Sequence, residues 1–230
     1  MENLHQWLQV MQVCDSFFPV GAFSYSDGLE SAVSEGLITD GATLQEWLER
    51  WCEYSFRDFE GLGLIYQMTA WHDRDWNQLR ETDQEITALQ PSSFTRSSSR
   101  TLGKRLLRTC IPIYPDQGLE LLLEQIENNS LRGNAVTVYA ALFDVMGLDA
   151  HQALLSYAYM RLASMISAAL RLISIGQQEG QQRLSRQLET VPGLVEAIIQ
   201  SKGAPLMMFN PALDICQMNH RFLYSRLFRS

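Results

Sequence analysis

The chain has 230 residues, 26 acidic against 18 basic side chains, and a formal net charge of −8. That balance argues against nucleic acid as a partner, since phosphate binding needs a basic surface, and suits either a basic protein partner or plain solubility. A hydrophobic content of 46% with 19% charged residues is that of a globular protein long enough to bury a core without staples.

Helical periodicity dominates from the first residues. Leu4, Trp7, Leu8 and Met11 recur at i, i+3, i+4 and i+7, the pattern of an amphipathic helix. Asp15 to Phe23 breaks it, because Pro19 and Gly21 forbid a regular continuation. There Phe17, Phe18 and Phe23 are expected to anchor a turn, with Asp15 or Ser24 capping a helix that runs over about 24–35. Thr43-Leu44-Gln45-Glu46 has the form of a capping box, and Leu44, Trp47, Leu48, Trp51, Cys52 and Ser55 share the face behind it. Gly61 and Gly63 loosen that pattern before it resumes to about Trp71. An acidic helix over about 73–89 ends at Pro91, and Ser92 caps the next, over about 93–109. Further helices are predicted near 118–128, 134–146, 150–176, 178–190, 193–201 and 210–222. No segment alternates with period two for long enough to insist on a strand, and no linker divides the chain. The expectation is an all-α fold, a single compact domain over 1–230 of about ten helices.

The helix predicted over about 150–176 is apolar for most of its length, yet it carries Arg161 and Arg171, so it reads as buried in protein and not in lipid. Its residues Arg161, Ser164, Ser167, Arg171 and Ser174 fall within an arc of about 140°. Such a stripe either packs helices closely, with Ser bonding back to its own turn, or borders a wet passage or an interface. Arg96, Arg100, Lys104, Arg105 and Arg108 make a basic helix face, either solvated or docking an acidic partner.

Catalytic signatures are missing. There is no Walker loop, HExxH or GxSxG, and the four His sit singly. Cys14, Cys52, Cys110 and Cys216 form no CxxC; only Cys216 and His220 stand at a spacing that could weakly hold a metal, and coincidence or packing explains the pair as well. No secretory leader is recognisable, so a cytoplasmic, non-enzymatic protein without a cofactor, a membrane span or a nucleic-acid partner is expected.

The last ten residues hold Arg221, Arg226, Arg229, Phe222, Tyr224 and Phe228 and no acid. In an acidic chain such a terminus either docks a partner or folds back on its own core. Taken with the segment Asp15-Ser16-Phe17-Phe18-Pro19-Val20-Gly21-Ala22-Phe23-Ser24-Tyr25-Ser26-Asp27-Gly28-Leu29-Glu30, the ending Tyr224-Ser225-Arg226-Leu227-Phe228-Arg229-Ser230 resembles the urease accessory proteins of the UreF family. Weaker matches fall in order between the ends, at 41–51, 96–107, 133–149 and 168–172. The chain departs from the family pattern at Ala22, at Asn134-Ala135, and before Arg96. The resemblance implies an all-α homodimer that binds a UreD/UreH-like protein, recruits the UreG-like GTPase, and supports nickel delivery to apo-urease. It implies partner-binding residues at Tyr224, Arg226, Leu227, Phe228 and Arg229, with Arg96, Arg100 and Lys104 as a second basic surface. It marks Asp15, Ser16, Phe17, Pro19, Gly21, Phe23, Ser26, Gly28 and Glu30 as a structured turn that a partner could read. Two other readings stay open beside it: a small-ligand-binding helical bundle or enzyme, and an interaction scaffold unrelated to urease.

Overall fold

The computed structural model describes residues 2–20 and 25–228, and every regular element among them is helical. In chain order these are α1 (Glu2–Cys14), α2 (Leu29–Ser34), α3 (Gly41–Arg50), a π-helical segment (Trp51–Glu60), α4 (Gly61–His72), α5 (Trp76–Leu89), α6 (Ser93–Cys110), α7 (Gln117–Glu127), α8 (Ala135–Val145), α9 (Ala150–Leu172), α10 (Gln177–Leu188), α11 (Val191–Gln200) and α12 (Pro211–Asn219), followed by a 3₁₀ turn (His220–Phe222). The all-α expectation holds.

The centre is α8, whose residues from Ala135 to Phe143 are all buried. A helix apolar all round must be covered on every side. Here α4 and α6 pack against it, with α9 also in contact, and α10 and α11 lie on α9. Of the elements, α9 alone is long and apolar enough to cross a membrane, but half of its most apolar stretch is buried inside the bundle.

A single carboxylate fixes where α8 begins. Asp83 of α5 is wholly buried. It accepts hydrogen bonds from the backbone N–H groups of Arg132, Gly133 and Asn134 at 2.6, 3.0 and 3.0 Å. Asn134 Nδ2 and Thr137 Oγ1 add donors at 2.8 and 2.7 Å. These donors satisfy the charge that burial would otherwise penalise, and three of them are backbone groups that precede the helix. Opposite this loop α6 approaches so closely that a Cβ on Gly103 would lie 2.3 Å from the Gly133 carbonyl oxygen.

Local structure differs from the sequence reading in three places. The capping box of α3 lies three residues upstream: Asp40 is the N-cap, and Thr43 answers from N3. Residues 41–72 form one uninterrupted rod, where the sequence suggested a loosened pattern at Gly61 and Gly63. Its middle is π-helical, so the Gly61 N–H bonds to the Phe56 carbonyl, five residues back. Gly61 is needed at that point, since a Cβ would meet Phe56 O at 2.8 Å and Ile198 at 2.7 Å. The apolar stripe of α1 is the third. Leu4, Leu8 and Met11 face solvent with Trp7 half-exposed, and α1 packs through Val10 and Val13 instead.

Candidate functional site

The segment after α1 begins as a tight turn. Asp15 Oδ1 accepts from the Phe17 N–H at 2.6 Å, and its carbonyl accepts from the Phe18 N–H at 3.0 Å. Phe18 and Val20 fill the core beneath, whereas Phe17 is 94% exposed and anchors nothing. Ser16 and Pro19 are also exposed, and Gly21, Phe23 and Ser24 lie outside the described residues. Asp15 therefore stabilises a turn and not a helix start. The helix that follows begins later than expected, with Gly28 in the N-cap position.

Residues 26–30 act as a clasp. Asp27 and Gly28 both adopt the left-handed conformation, at φ 59° and 87°. This turns the chain so that Gly28 lies against α12, where a Cβ would stand 3.3 Å from both Gln217 and Leu213. Asp27 pairs with the Arg161 guanidinium of α9 and lies 3.4 Å from Gln217 Nε2 of α12. Ser26 Oγ accepts from the Glu30 N–H at 3.5 Å.

Arg161 is shared with the rod. Glu60, the last residue of the π segment, accepts from Arg161 Nε at 3.0 Å and from the Tyr157 hydroxyl at 2.8 Å. The guanidinium also faces the Trp51 ring, 5.6 Å from its centroid. Burial opposes the charge on Arg161, but Asp27 and Glu60 outweigh it and hold the group firmly protonated. Burial and then the Glu60 charge raise Tyr157 well above the usual phenol range, so its hydroxyl stays a donor. Beside this cluster lies a cavity of about 120 Å³, whose polar walls include Ser98, Ser99 and Ser164. Gln90 also lines it, and its buried Oε1 has no partner. A second cavity of about 640 Å³ separates α1 from α9. Tyr139, Met160 and Ser164 wall both. On α9, Ser164 and Ser167 of the polar stripe border these cavities.

The tail is divided in its role. Glu30, buried, receives the backbone N–H groups of Leu227 and of Phe228, the latter at 3.2 Å. His220 Nε2 lies 2.8 Å from the same carboxylate. The Phe228 ring is 4% exposed, with the Arg171 guanidinium 4.3 Å from its centroid. In this structure Phe228 is therefore packed within its own chain and not presented to a partner. Between these anchors Phe222 is 71%, Leu227 64% and Tyr224 fully exposed, and Arg226 is exposed with them. Arg229 lies outside the described residues.

His220 serves Glu30, and Cys216 is buried with its thiol pushed up to about 12 by burial, so the pair reads as packing. Among the described residues no group of three or more His, Cys, Asp or Glu could hold a metal ion.

The basic face of α6 is largely committed to its own chain. Arg96 Nη1 donates to the carbonyls of Gln90 and Pro91, at 2.5 and 3.0 Å, and so closes the end of α5. Arg100 Nε donates to the Arg96 carbonyl at 3.2 Å. Lys104 and Arg108 both reach Glu127 of α7, at 3.6 and 2.5 Å, and the Arg108 hydrogen bond lowers the Glu127 carboxyl below its usual range.

Residues 38–188 match the sequence profile of the family described as UreF. The chain belongs to the UreF family. A protein of Streptococcus salivarius (strain 57.I) named urease accessory protein UreF is 27% identical over 228 residues, covering 99% of this chain and 96% of that one. One of the same name from Bacillus sp. (strain TB-90) is 29% identical over 227 residues, covering 99% and 100%. The profile spans the rod, α6 and Arg161, while the clasp and the tail lie beyond it, inside the longer pairings with whole UreF relatives.

Ser26, Gly28 and Glu30 stand out in the sequence motif, whereas the parts played by Asp27, Glu60, Tyr157 and Gln217 show only in the fold. Glu60 had a usable signal: it stands between Phe59 and Gly61 in a run whose other inward positions are Trp51, Cys52, Ser55 and Phe56. An acid at such a place needs a cation.

Proposed function

We propose that this chain is a non-catalytic accessory protein of urease maturation. In this reading it pairs with a UreD/UreH-type protein, the pair recruits a UreG-type GTPase, and the assembly supports GTP-dependent nickel insertion into apo-urease in the cytoplasm. The observation that carries it is similarity over 99% of the chain to proteins named urease accessory protein UreF. The geometry adds a means of docking. Tyr224, Arg226 and Leu227 stand exposed on a segment without acid, and aromatic and Arg side chains are the usual anchors of interfaces. A homodimer belongs to the same proposal. The outward apolar face of α1, with Leu155 and Tyr159 of α9 also exposed, supports a further protein contact.

The test is capture of a co-expressed UreD/UreH-type protein by the purified chain. The double variant Tyr224→Ala/Arg226→Ala removes two exposed side chains, so its melting should match wild type. Loss of hot-spot anchors costs about 2 kcal/mol or more, so capture should weaken about 30-fold. Undiminished capture and undiminished urease activation in cells producing the double variant would overturn the reading.

A further inference from the structure

Glu30 does more than bury a charge. Its carboxylate is shared by His220 at one end of the tail and by the N–H groups of Leu227 and Phe228 at the other. Both side chains are nearly sealed from solvent, at 8% for Glu30 and 1% for His220. One acceptor thus ties two places in the chain together and closes residues 221–226 into a loop. The Leu223 N–H to His220 carbonyl bond starts its turn, and the buried Phe228 ring beneath Arg171 ends it.

The loop is unlike the rest of the surface. Arg221 and Arg226 give it two positive charges in a chain of net −8, and it contains no acid. Phe222 and Tyr224 stand out from it, and Leu227 stands at its edge. A tail needed only to seal the core would keep its apolar side chains inside. Here the anchors are inside, and the apolar and basic groups between them are outside.

We propose that Glu30 is a positioning residue that closes 221–226 into a preformed docking loop, for a protein surface combining carboxylates with an apolar pocket. This rests on the reading of the tail as the docking segment. A free tail must lose backbone freedom residue by residue when it binds. A loop already closed has lost most of it, and preorganisation of this kind raises affinity without any new contact.

The experiment uses the full chain, wild type and Glu30→Gln, with amide hydrogen exchange and capture of a co-expressed UreD/UreH-type protein as paired readouts. Glutamine keeps the shape but offers one carbonyl where two oxygens had held three groups. In wild type the amides of Leu227 and Phe228 should exchange far more slowly than those of Tyr224 and Ser225. In Glu30→Gln those two amides should speed up at least about ten-fold, the amides of α8 and α9 should keep their rates, and capture should fall about ten-fold. Should Glu30→Gln lose protection in α8 and α9 as well, Phe228→Ala makes the same comparison by removing the anchor and leaving the carboxylate. Leu227 and Phe228 amides that exchange as freely in wild type as Tyr224 overturn the clamp. Released amides with unchanged capture overturn the positioning role. If Tyr224→Ala/Arg226→Ala captures as well as wild type, the docking reading itself falls, and the loop's purpose falls with it.

Discussion

Three carboxylates in this molecule show how burial is made tolerable and where it is not. Asp83 gathers five donors from Arg132, Gly133, Asn134 and Thr137, and Glu30 gathers three groups from the far end of the chain. Asp214, in the first turn of α12, is the exception: its Oδ1 is buried with no partner, and burial pushes its carboxyl up from 3.8 to about 6. A carboxyl raised on folding keeps its proton in the native state after the unfolded chain has lost it. Stability is therefore untouched at low pH and declines as pH rises through the window from about 4 to about 6. Full burial would make a two-unit shift cost about 3 kcal/mol; Asp214 is partly exposed, and solvent screening brings this to about 1 kcal/mol. Asp214→Asn should accordingly be more stable than wild type by about 1 kcal/mol at pH 7.5, with less than half that gain at pH 4.5. Urea unfolding at the two pH values measures it, and an equal gain at both would mean that ionisation is not the cause.

At the scale of elements, local signals located most of the helices. Ser92 caps α6 as read, and the segments from α5 to α12 begin and end within a few residues of their predicted bounds. Periodicity also marked the core faces of α3 and of the π segment, through Leu44, Trp47, Leu48, Trp51 and Cys52. It failed where tertiary contact decides. The stripe on α1 reads as a core face, but Leu4, Leu8 and Met11 stay exposed while Val10 and Val13 are buried, and no local pattern says which side a neighbour will cover. The π geometry of 51–60 has no signature in composition; within it Glu60 reaches Arg161, and Trp51 stacks on Phe56 with ring centroids 5.5 Å apart. The approach of α6 to the loop before α8 is another such demand. Gly103→Ala places a Cβ against backbone that Asp83 holds fixed, so the helix must move, at about 1–3 kcal/mol. Gly193→Ala in α11 meets nothing within 4 Å and should be neutral or stabilising by up to about 1 kcal/mol. Chemical denaturation of the pair checks this, and equal stability of the two variants would show that the α6 contact gives way freely.

On the scale of the whole molecule, the two ends of the chain are one structural unit. The N-terminal segment and the C-terminal tail stood out separately in the sequence, by Pro, Gly and Phe in one and by Arg and aromatics in the other. Their contact did not, because a bond between Glu30 and Phe228 spans 198 residues and leaves no periodicity to read. Arg161 joins this unit to the rest. It links Asp27 of the clasp to Glu60 of the rod, beside Tyr157, while Gln217 of α12 reaches the same Asp27. The cluster carries two carboxylates against one guanidinium, so removing the cation leaves two negative charges facing each other in a partly closed site. Breaking a buried pair from one side costs about 3–5 kcal/mol, and partial exposure here brings the expectation to about 3 kcal/mol. Against a total stability of about 5–15 kcal/mol for a typical domain, Arg161→Met should remain folded but melt well below wild type. Replacing the charges together is different in kind. The triple variant Arg161→Met/Asp27→Asn/Glu60→Gln leaves no unpaired ion, and well-packed neutral substitutes for buried ion pairs are often no less stable. It should recover most of the loss, with the amides of Leu227 and Phe228 protected again through the restored placement of residues 26–30. Thermal melts of the wild type, single and triple variants decide the point. A triple variant no more stable than the single one would mean that Arg161 acts through its packing on Trp51 and not through the charges it joins.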